Sequence, residues 1–235
     1  MFNPHPTVTT LPIDATQVCV VIDDVLLDPQ ALVDMAVKHR QAFELAGGNA
    51  YPGLELPMSD AVSARIADCF ALHARRALGG RRTVRSHSRL SMVTLLPSAL
   101  RPLQRVPHRD RLVVASGQFV AAAVLYLFRQ PELGGTSFYA PRQSLAETER
   151  LMAAWNLLSS DDFTQRVGLE PAYISESNTY FDKLLTVPAR WNRMVVYDGG
   201  LFHCSHVTRP ELLSDDPARG RLTLNPFFIC TRAAA

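Results

Sequence analysis

His108-Arg109-Asp110 is the stretch on which the reading of this 235-residue chain turns. Alternate residues of an extended strand point to the same side, so the histidine and the aspartate can offer one metal ion two ligands. The tripeptide alone decides little, and its surroundings carry the reading. It follows Pro102 and Pro107 in a part of the chain that is extended in character. Leu90 to Leu96 is apolar and β-prone, and Phe119 to Phe128 is a nearly continuous apolar strand. Gly134-Gly135-Thr136-Ser137-Phe138-Tyr139 makes a tight turn into another strand. Met194 to Tyr197, a turn at Asp198-Gly199-Gly200, Leu201 to Ser205 and Arg221 to Cys230 continue the pattern. Such a series of short strands and turns predicts a β-sandwich or barrel.

Upstream the periodicity is different. Residues 1 to 17, with Pro4, Pro6 and Pro12 among threonines, read as a loose lead-in, and Val18 to Ile22 as a short strand. Asp28 and Pro29 then suit the start of a helix. Leu32, Met35, Ala36, His39 and Phe43 recur at helical spacing until Gly47-Gly48, and His39 reads as a partly buried helix-face residue. Tyr51-Pro52-Gly53 is a turn. Ser59 or Asp60 caps a second helix with Val62, Ile66, Cys69, Phe70 and His73 on one side, ending near Gly79-Gly80. Residues 1–84 therefore predict a helical layer over one face of a sheet, and residues 85–231 the β-core. A mostly helical insertion at 142–190, with Ser144 capping one helix and Ser160 opening another, interrupts the core. The whole of 1–235 reads as one α+β domain.

Composition narrows the function. Hydrophobic residues are 47% and charged residues 20% of the chain, the profile of a folded globular protein. The start of the chain lacks the charged and apolar regions of a secretory signal, and no apolar run reaches membrane-spanning length, so a cytoplasmic location without membrane association is expected. Cys19, Cys69, Cys204 and Cys230 form no CxxC pair and read as reduced thiols. A net charge of +2 does not call for a polyanionic partner. Arg75, Arg76, Arg81, Arg82, Arg85 and Arg89 make a local basic cluster, read as a solvated helix end and loop or as a site for an acidic or phosphate-bearing partner.

His203, after the Gly-Gly turn on a much later strand, supplies a third ligand candidate. Two histidines and one carboxylate on one face of a metal leave positions open for small molecules, the arrangement of non-haem iron(II) oxygenases. His206 competes with His203, and on a strand two histidines three apart face opposite ways. Arg221 opens the last strand, and Arg219 can replace it if the register slips by two.

In these residues the sequence resembles the iron(II)- and 2-oxoglutarate-dependent oxygenases, within them the prolyl-hydroxylase-like branch. The resemblance rests on His108-Arg109-Asp110, on Val124-Leu125-Tyr126-Leu127 leading to Gly134-Gly135-Thr136-Ser137-Phe138, on Asn192-Arg193-Met194-Val195-Val196-Tyr197 running to His203, and on Arg221-Leu222-Thr223-Leu224-Asn225. It implies a double-stranded β-helix, the jelly-roll or cupin-like barrel. It also implies His108, Asp110 and His203 as ligands of Fe(II), and Arg221 as the partner of the distal carboxylate of the co-substrate 2-oxoglutarate. A guanidinium suits that task through two parallel hydrogen bonds. Thr223 should face the same way as Arg221, and Tyr126 is either a further candidate donor or a core tyrosine. The stretch between His203 and Arg221 is longer than the family's common spacing. The aspartate at the second ligand position argues against a halogenase, whose members have a small residue there.

The expected activity is hydroxylation, with O2, of an amino acid, a peptidyl side chain or a small natural product. Two other readings compete: a nucleic-acid dealkylase of the same family, and a non-catalytic metal-dependent binding or sensing module on the same barrel. Substrate identity is not written in the sequence, and a homodimer is compatible with it.

Overall fold

In the computed structural model, which describes residues 2–233 apart from 48, 49 and 111, eleven strands form two antiparallel sheets. The strands are β1 (Thr7–Pro12), β2 (Val18–Asp23), β3 (Glu44–Leu45), β4 (Gly53–Pro57), β5 (Gly80–Val93), β6 (Gln118–Tyr126), β7 (Thr136–Pro141), β8 (Phe181–Val187), β9 (Met194–Asp198), β10 (Phe202–Ser205) and β11 (Arg221–Arg232). The large sheet has the order β1-β2-β9-β6-β11-β5-β4-β3, and the small one β10-β7-β8. This mixed architecture, one large and one small antiparallel sheet, is consistent with a jelly roll.

The period-2 alternation of the central strands sorts their side chains between two cores. On β11, Leu222, Leu224 and Phe228 join Leu90 and Met92 of β5 and Ala121, Ala123 and Leu125 of β6 on the outer face. Two helices cover that face, α1 (Gln30–Lys38) and α2 (Asp60–His73), through Val33, Ala36, Ile66, Cys69 and Phe70. Val120, Ala122 and Tyr126 of β6, with Val195 and Tyr197 of β9, point the other way and meet Phe138 and Val187 of the small sheet. Phe70 is fully buried and stacks on Phe228 with ring centroids 4.1 Å apart. Phe70→Ala is expected to destabilise the protein by about 3–5 kcal/mol, read as a lower denaturation midpoint at unchanged slope.

Several boundaries differ from the expectation. The first helix ends at Lys38, and a 3-10 turn at Arg40–Ala42 leads into β3, which leaves His39 exposed. Gly48, its expected stop, lies outside the described residues. Asp28 still accepts from the Ala31 amide at its start, while Ser59 caps α2 through the Val62 amide. The lead-in contains β1, whose Pro12 is tolerated because the strand lies at the sheet's edge. Residues 1–84 are thus not only a helical layer, for they supply β1 to β4 and the start of β5.

The insertion at 142–190 is also less helical than expected. Two helices lie within it, α3 (Leu145–Trp155), with a capping box between Ser144 and Glu147, and α4 (Ser160–Val167), which starts at Ser160 as expected and is capped by Ser159. Its last part is β8, which pairs with β7 and completes the small sheet. All four cysteines are free thiols, and among the described residues no helix is long and apolar enough to cross a membrane.

Candidate metal centre

His108 and His203 are directly opposed across an antiparallel bridge that adds the His108 segment to the edge of β10. Each donates its backbone N–H to the other's carbonyl oxygen at 2.9 Å. Two residues on, the Asp110 amide donates to the Gly199 carbonyl at 2.8 Å, and the Gly199 amide to that of Val120. The ligand strand is therefore tied to both β10 and β6. A Cβ added at Gly199 would lie 3.0 Å from the Cβ of Asp110, so glycine is what lets the Asp-Gly-Gly turn pass beneath the carboxylate.

This backbone brings one ligand atom from each of His108, Asp110 and His203 within 4.8 Å of one another. His203 Nε2 lies 3.4 Å from Asp110 Oδ2, and His108 Nε2 lies 4.0 Å from Oδ1. His203 Nδ1 is 2.9 Å from the Leu201 carbonyl, a contact that places the proton on Nδ1 and leaves the Nε2 lone pair directed at the cluster. Burial, with His203 and Arg89 close by, holds the pKa of His108 well below its ordinary value, so its ring stays neutral and free to ligate. Burial raises the pKa of Asp110, against the pull of His203 and Arg89. Its Oδ2 is buried without a hydrogen-bond partner among the described residues. An orphaned carboxylate oxygen beside two oriented imidazoles is a donor set that a divalent cation completes.

The cluster opens into a cavity whose lining mixes charged, polar and apolar side chains. Arg221, Thr223, Asn225 and Phe227, every second residue of β11, line it in a row. Arg221 is 1% exposed, and its guanidinium donates through Nε to Leu133 O at 3.0 Å and through Nη2 to Gly135 O at 2.7 Å. No carboxylate forms an ion pair with it among the described residues. Those carbonyls belong to a sharp turn at Gly134, φ +78°, where a Cβ would collide with the His206 carbonyl. A buried cation held only by neutral acceptors is a receptor for an anion. Thr223 lies beside it, and the Tyr51 hydroxyl, pushed up to about 12 by burial, feels both residues.

Tyr126 is fully buried, but its hydroxyl shares a 2.8 Å hydrogen bond with Thr136 Oγ1, and it is Thr136 that lines the cavity. Arg219 is exposed at the turn before β11. His206 points away from the cluster, its Nδ1 2.9 Å from Ser137 Oγ. His206→Ala is accordingly expected to leave divalent-metal affinity within about threefold of wild type by calorimetric titration, since it touches no ligand.

Arg89 does not lie on a solvated helix end. It is on β5, inside the cavity, paired through Nε with Glu55 of β4 at 2.8 Å and placed over the Phe227 ring at 4.8 Å. Arg76, Arg81, Arg82 and Arg85 of the same cluster are exposed. Asn225, Tyr51 and Tyr173 also line the cavity, and the sequence did not mark them as site residues. For Asn225 a signal existed, because the alternation that turns Arg221 and Thr223 inward extends to it.

A search of curated proteins finds no match. Among solved structures the chain is similar to HygX from Streptomyces hygroscopicus, solved with nickel and 2-oxoglutarate bound, at 13% identity over 90% of this chain and 82% of that one, TM-score 0.47. It is similar to a prolyl-4-hydroxylase from Pseudomonas putida at 14% identity over 98% and 92% of the two chains, TM-score 0.42. EvdO2 from Micromonospora carbonacea var. aurantiaca matches at 12% identity over 97% and 96%, TM-score 0.47. A family model described as a family of unknown function, DUF6445, matches residues 4–228.

Proposed function

Because the chain belongs to the DUF6445 family, a family of unknown function, its activity has to be read from its own cavity, and we propose that it is an iron(II)- and 2-oxoglutarate-dependent oxygenase. The observation that carries this reading is the pairing, in one cavity, of the His108, Asp110 and His203 cluster with a buried arginine that has no carboxylate of its own. Both halves are incomplete, one lacking a cation and the other an anion. A dicarboxylate that also chelates the metal satisfies the two together.

In this account His108, Asp110 and His203 hold iron(II), and Arg221 holds the distal carboxylate of 2-oxoglutarate, with Thr223 as a second donor once its hydroxyl turns from the Ser91 carbonyl 3.3 Å away. Iron with 2-oxoglutarate and O2 supplies an oxidant able to hydroxylate an unactivated carbon. The protein's own part is to orient and to exclude. The Leu201 carbonyl fixes the His203 ring, the turn at Gly134-Gly135 aims Arg221, and Phe227, Val106 and Ile174 supply apolar wall to the cavity. The substrate is an amino acid, a peptidyl side chain or a small natural product. The chain folds as one domain, a double-stranded β-helix closed around the site, and works in the cytoplasm, in keeping with its free thiols.

The test is aerobic incubation with iron(II) and 2-oxoglutarate, following succinate. Iron-dependent succinate above the protein-free rate, lost on adding a chelator and in Asp110→Ala, is the expected result. No iron-dependent succinate, alone or with candidate substrates, would leave a binding or sensing module.

A further inference from the structure

The cavity holds a second cation that the oxygenase reading does not use. Arg221 pairs across the β5 and β11 ladder with Val93, Thr223 with Ser91, and Asn225 with Arg89. Arg89 therefore enters four residues further along the ladder than Arg221, about 13 Å at the rise of an antiparallel strand. An extended five-carbon diacid spans only about 5 Å between its end carbons. A 2-oxoglutarate seated on Arg221 leaves Arg89 for another anion.

Arg89 is built as a receptor. Its ion pair with Glu55 is a 2.8 Å approach of Nε to Oε1 without hydrogen-bond alignment, and among the described residues Nη1 and Nη2 make no hydrogen bond, which leaves that edge for a bidentate carboxylate. Phe227 supports one face of it. Directly opposite, Asn225 is 7% exposed and lines the cavity, and its side-chain oxygen has no hydrogen-bond partner among the described residues. Residues directly opposed on one face of a sheet have Cβ atoms roughly 5 Å apart. A bidentate donor and an orphaned acceptor at that spacing match a carboxylate and an N–H or O–H donor on the adjoining carbon.

Resting on the oxygenase reading above, we propose that Arg89 and Asn225 form the primary-substrate subsite, and that the substrate is a free α-amino or α-hydroxy acid whose carboxylate binds Arg89 and whose α-substituent donates to the Asn225 oxygen. Glu55 is a positioning residue for Arg89. The side chain of the acid then runs past Phe227 and Val106 toward His108 and Asp110, which places oxidation on the side chain and away from the α-carbon. Peptide substrates bound through an internal residue are excluded, since they lack the α-carboxylate.

The test uses protein loaded anaerobically with iron(II) and 2-oxoglutarate, titrated calorimetrically with the twenty common amino acids, their primary amides, their deaminated analogues and their α-hydroxy analogues. At least one acid is expected to bind, with its amide and its deaminated analogue each about 10- to 100-fold weaker, the scale of a charge-assisted hydrogen bond. In Arg89→Gln the preference for acid over amide should collapse toward one. In Asn225→Leu the preference for the α-substituted over the deaminated acid should do so. Both variants should keep the visible band of the iron and 2-oxoglutarate chelate, which also shows that they fold. Three results overturn the proposal: no acid binds while the wild-type band is normal, amide and acid bind alike, or Arg89→Gln weakens 2-oxoglutarate as much as Arg221→Gln does. The last would make Arg89 a co-substrate residue. Absence of the band in the wild type is a different failure, for it removes the oxygenase reading itself and the subsite with it.

Discussion

His203→Ala is expected to lower iron(II) affinity by more than about 100-fold and to abolish 2-oxoglutarate turnover. Loss of a group that merely orients a ligand costs roughly 10- to 100-fold in affinity, and here the ligand itself goes. The effect should exceed that of any neighbouring histidine, because His203 is 5% exposed and its Nδ1 proton is already committed to Leu201. Its ring packs 4.6 Å from that of Tyr197 and 4.4 Å from that of His108, so some stability is lost as well. His203→Gln keeps most of that packing and serves as the control. Anaerobic calorimetry with iron(II) reads the affinity of both variants, and retention of wild-type affinity in His203→Ala would remove it from the ligand set.

Arg221→Leu is expected to weaken 2-oxoglutarate by about 30-fold or more while leaving iron(II) binding nearly unchanged. Deleting one partner of a buried, hydrogen-bonded charge pair costs about 2–5 kcal/mol, and 1.4 kcal/mol is a factor of ten. The same change leaves the Leu133 and Gly135 carbonyls without their side-chain donor, so a loss of roughly 1–3 kcal/mol in folding stability should accompany it. Arg221→Lys keeps the charge but not the planar fork, and its 2-oxoglutarate affinity should fall between wild type and Arg221→Leu. The half-saturation concentration of 2-oxoglutarate measures this. Equal values in all three proteins would detach Arg221 from the co-substrate.

How far the site could be read in advance follows from which interactions are local in sequence. His108 and Asp110 are two apart, and Arg221 and Thr223 are two apart, so strand geometry alone turns each pair to one side. His203 needed the ordered surroundings of the Asp198-Gly199-Gly200 turn. Arg89 was obscured because it was grouped with the arginines from Arg75 to Arg85, and composition cannot say which of them enters a cavity. Arg85 and Arg89 share one face of β5, and position along the strand separates them, Arg85 lying exposed nearer its start and Arg89, opposite Asn225, lying in the cavity. Tyr51 was hidden in a turn signature, although its backbone leads directly into β4.

The fold shows the same division. Continuously apolar strands such as β6 and β11, and a helix with a clear period such as α2, were legible. β8 was not, because it follows two helices and only its end residues, Phe181 and Val187, are buried, so no alternation marks it. β1 was missed because proline and threonine together read as a linker, whereas at a sheet edge they make an acceptable strand. For Tyr126 the sequence left a donor to the co-substrate and a core tyrosine equally open. Its hydroxyl is committed to Thr136, a partner ten residues away that no pattern on β6 announces.

The central claim is that one cavity binds iron(II) through His108, Asp110 and His203 and 2-oxoglutarate through Arg221. The most direct measurement is an anaerobic titration of the metal-free protein with iron(II) and 2-oxoglutarate, following the weak visible charge-transfer band of the chelate, in wild type and in His108→Ala, His203→Ala, His206→Ala and Arg221→Ala. The account predicts a band in the wild type that is lost with His108 or His203, survives in His206→Ala, and needs much more 2-oxoglutarate in Arg221→Ala. A wild-type protein that binds iron(II) and gives no band at saturating 2-oxoglutarate would contradict it.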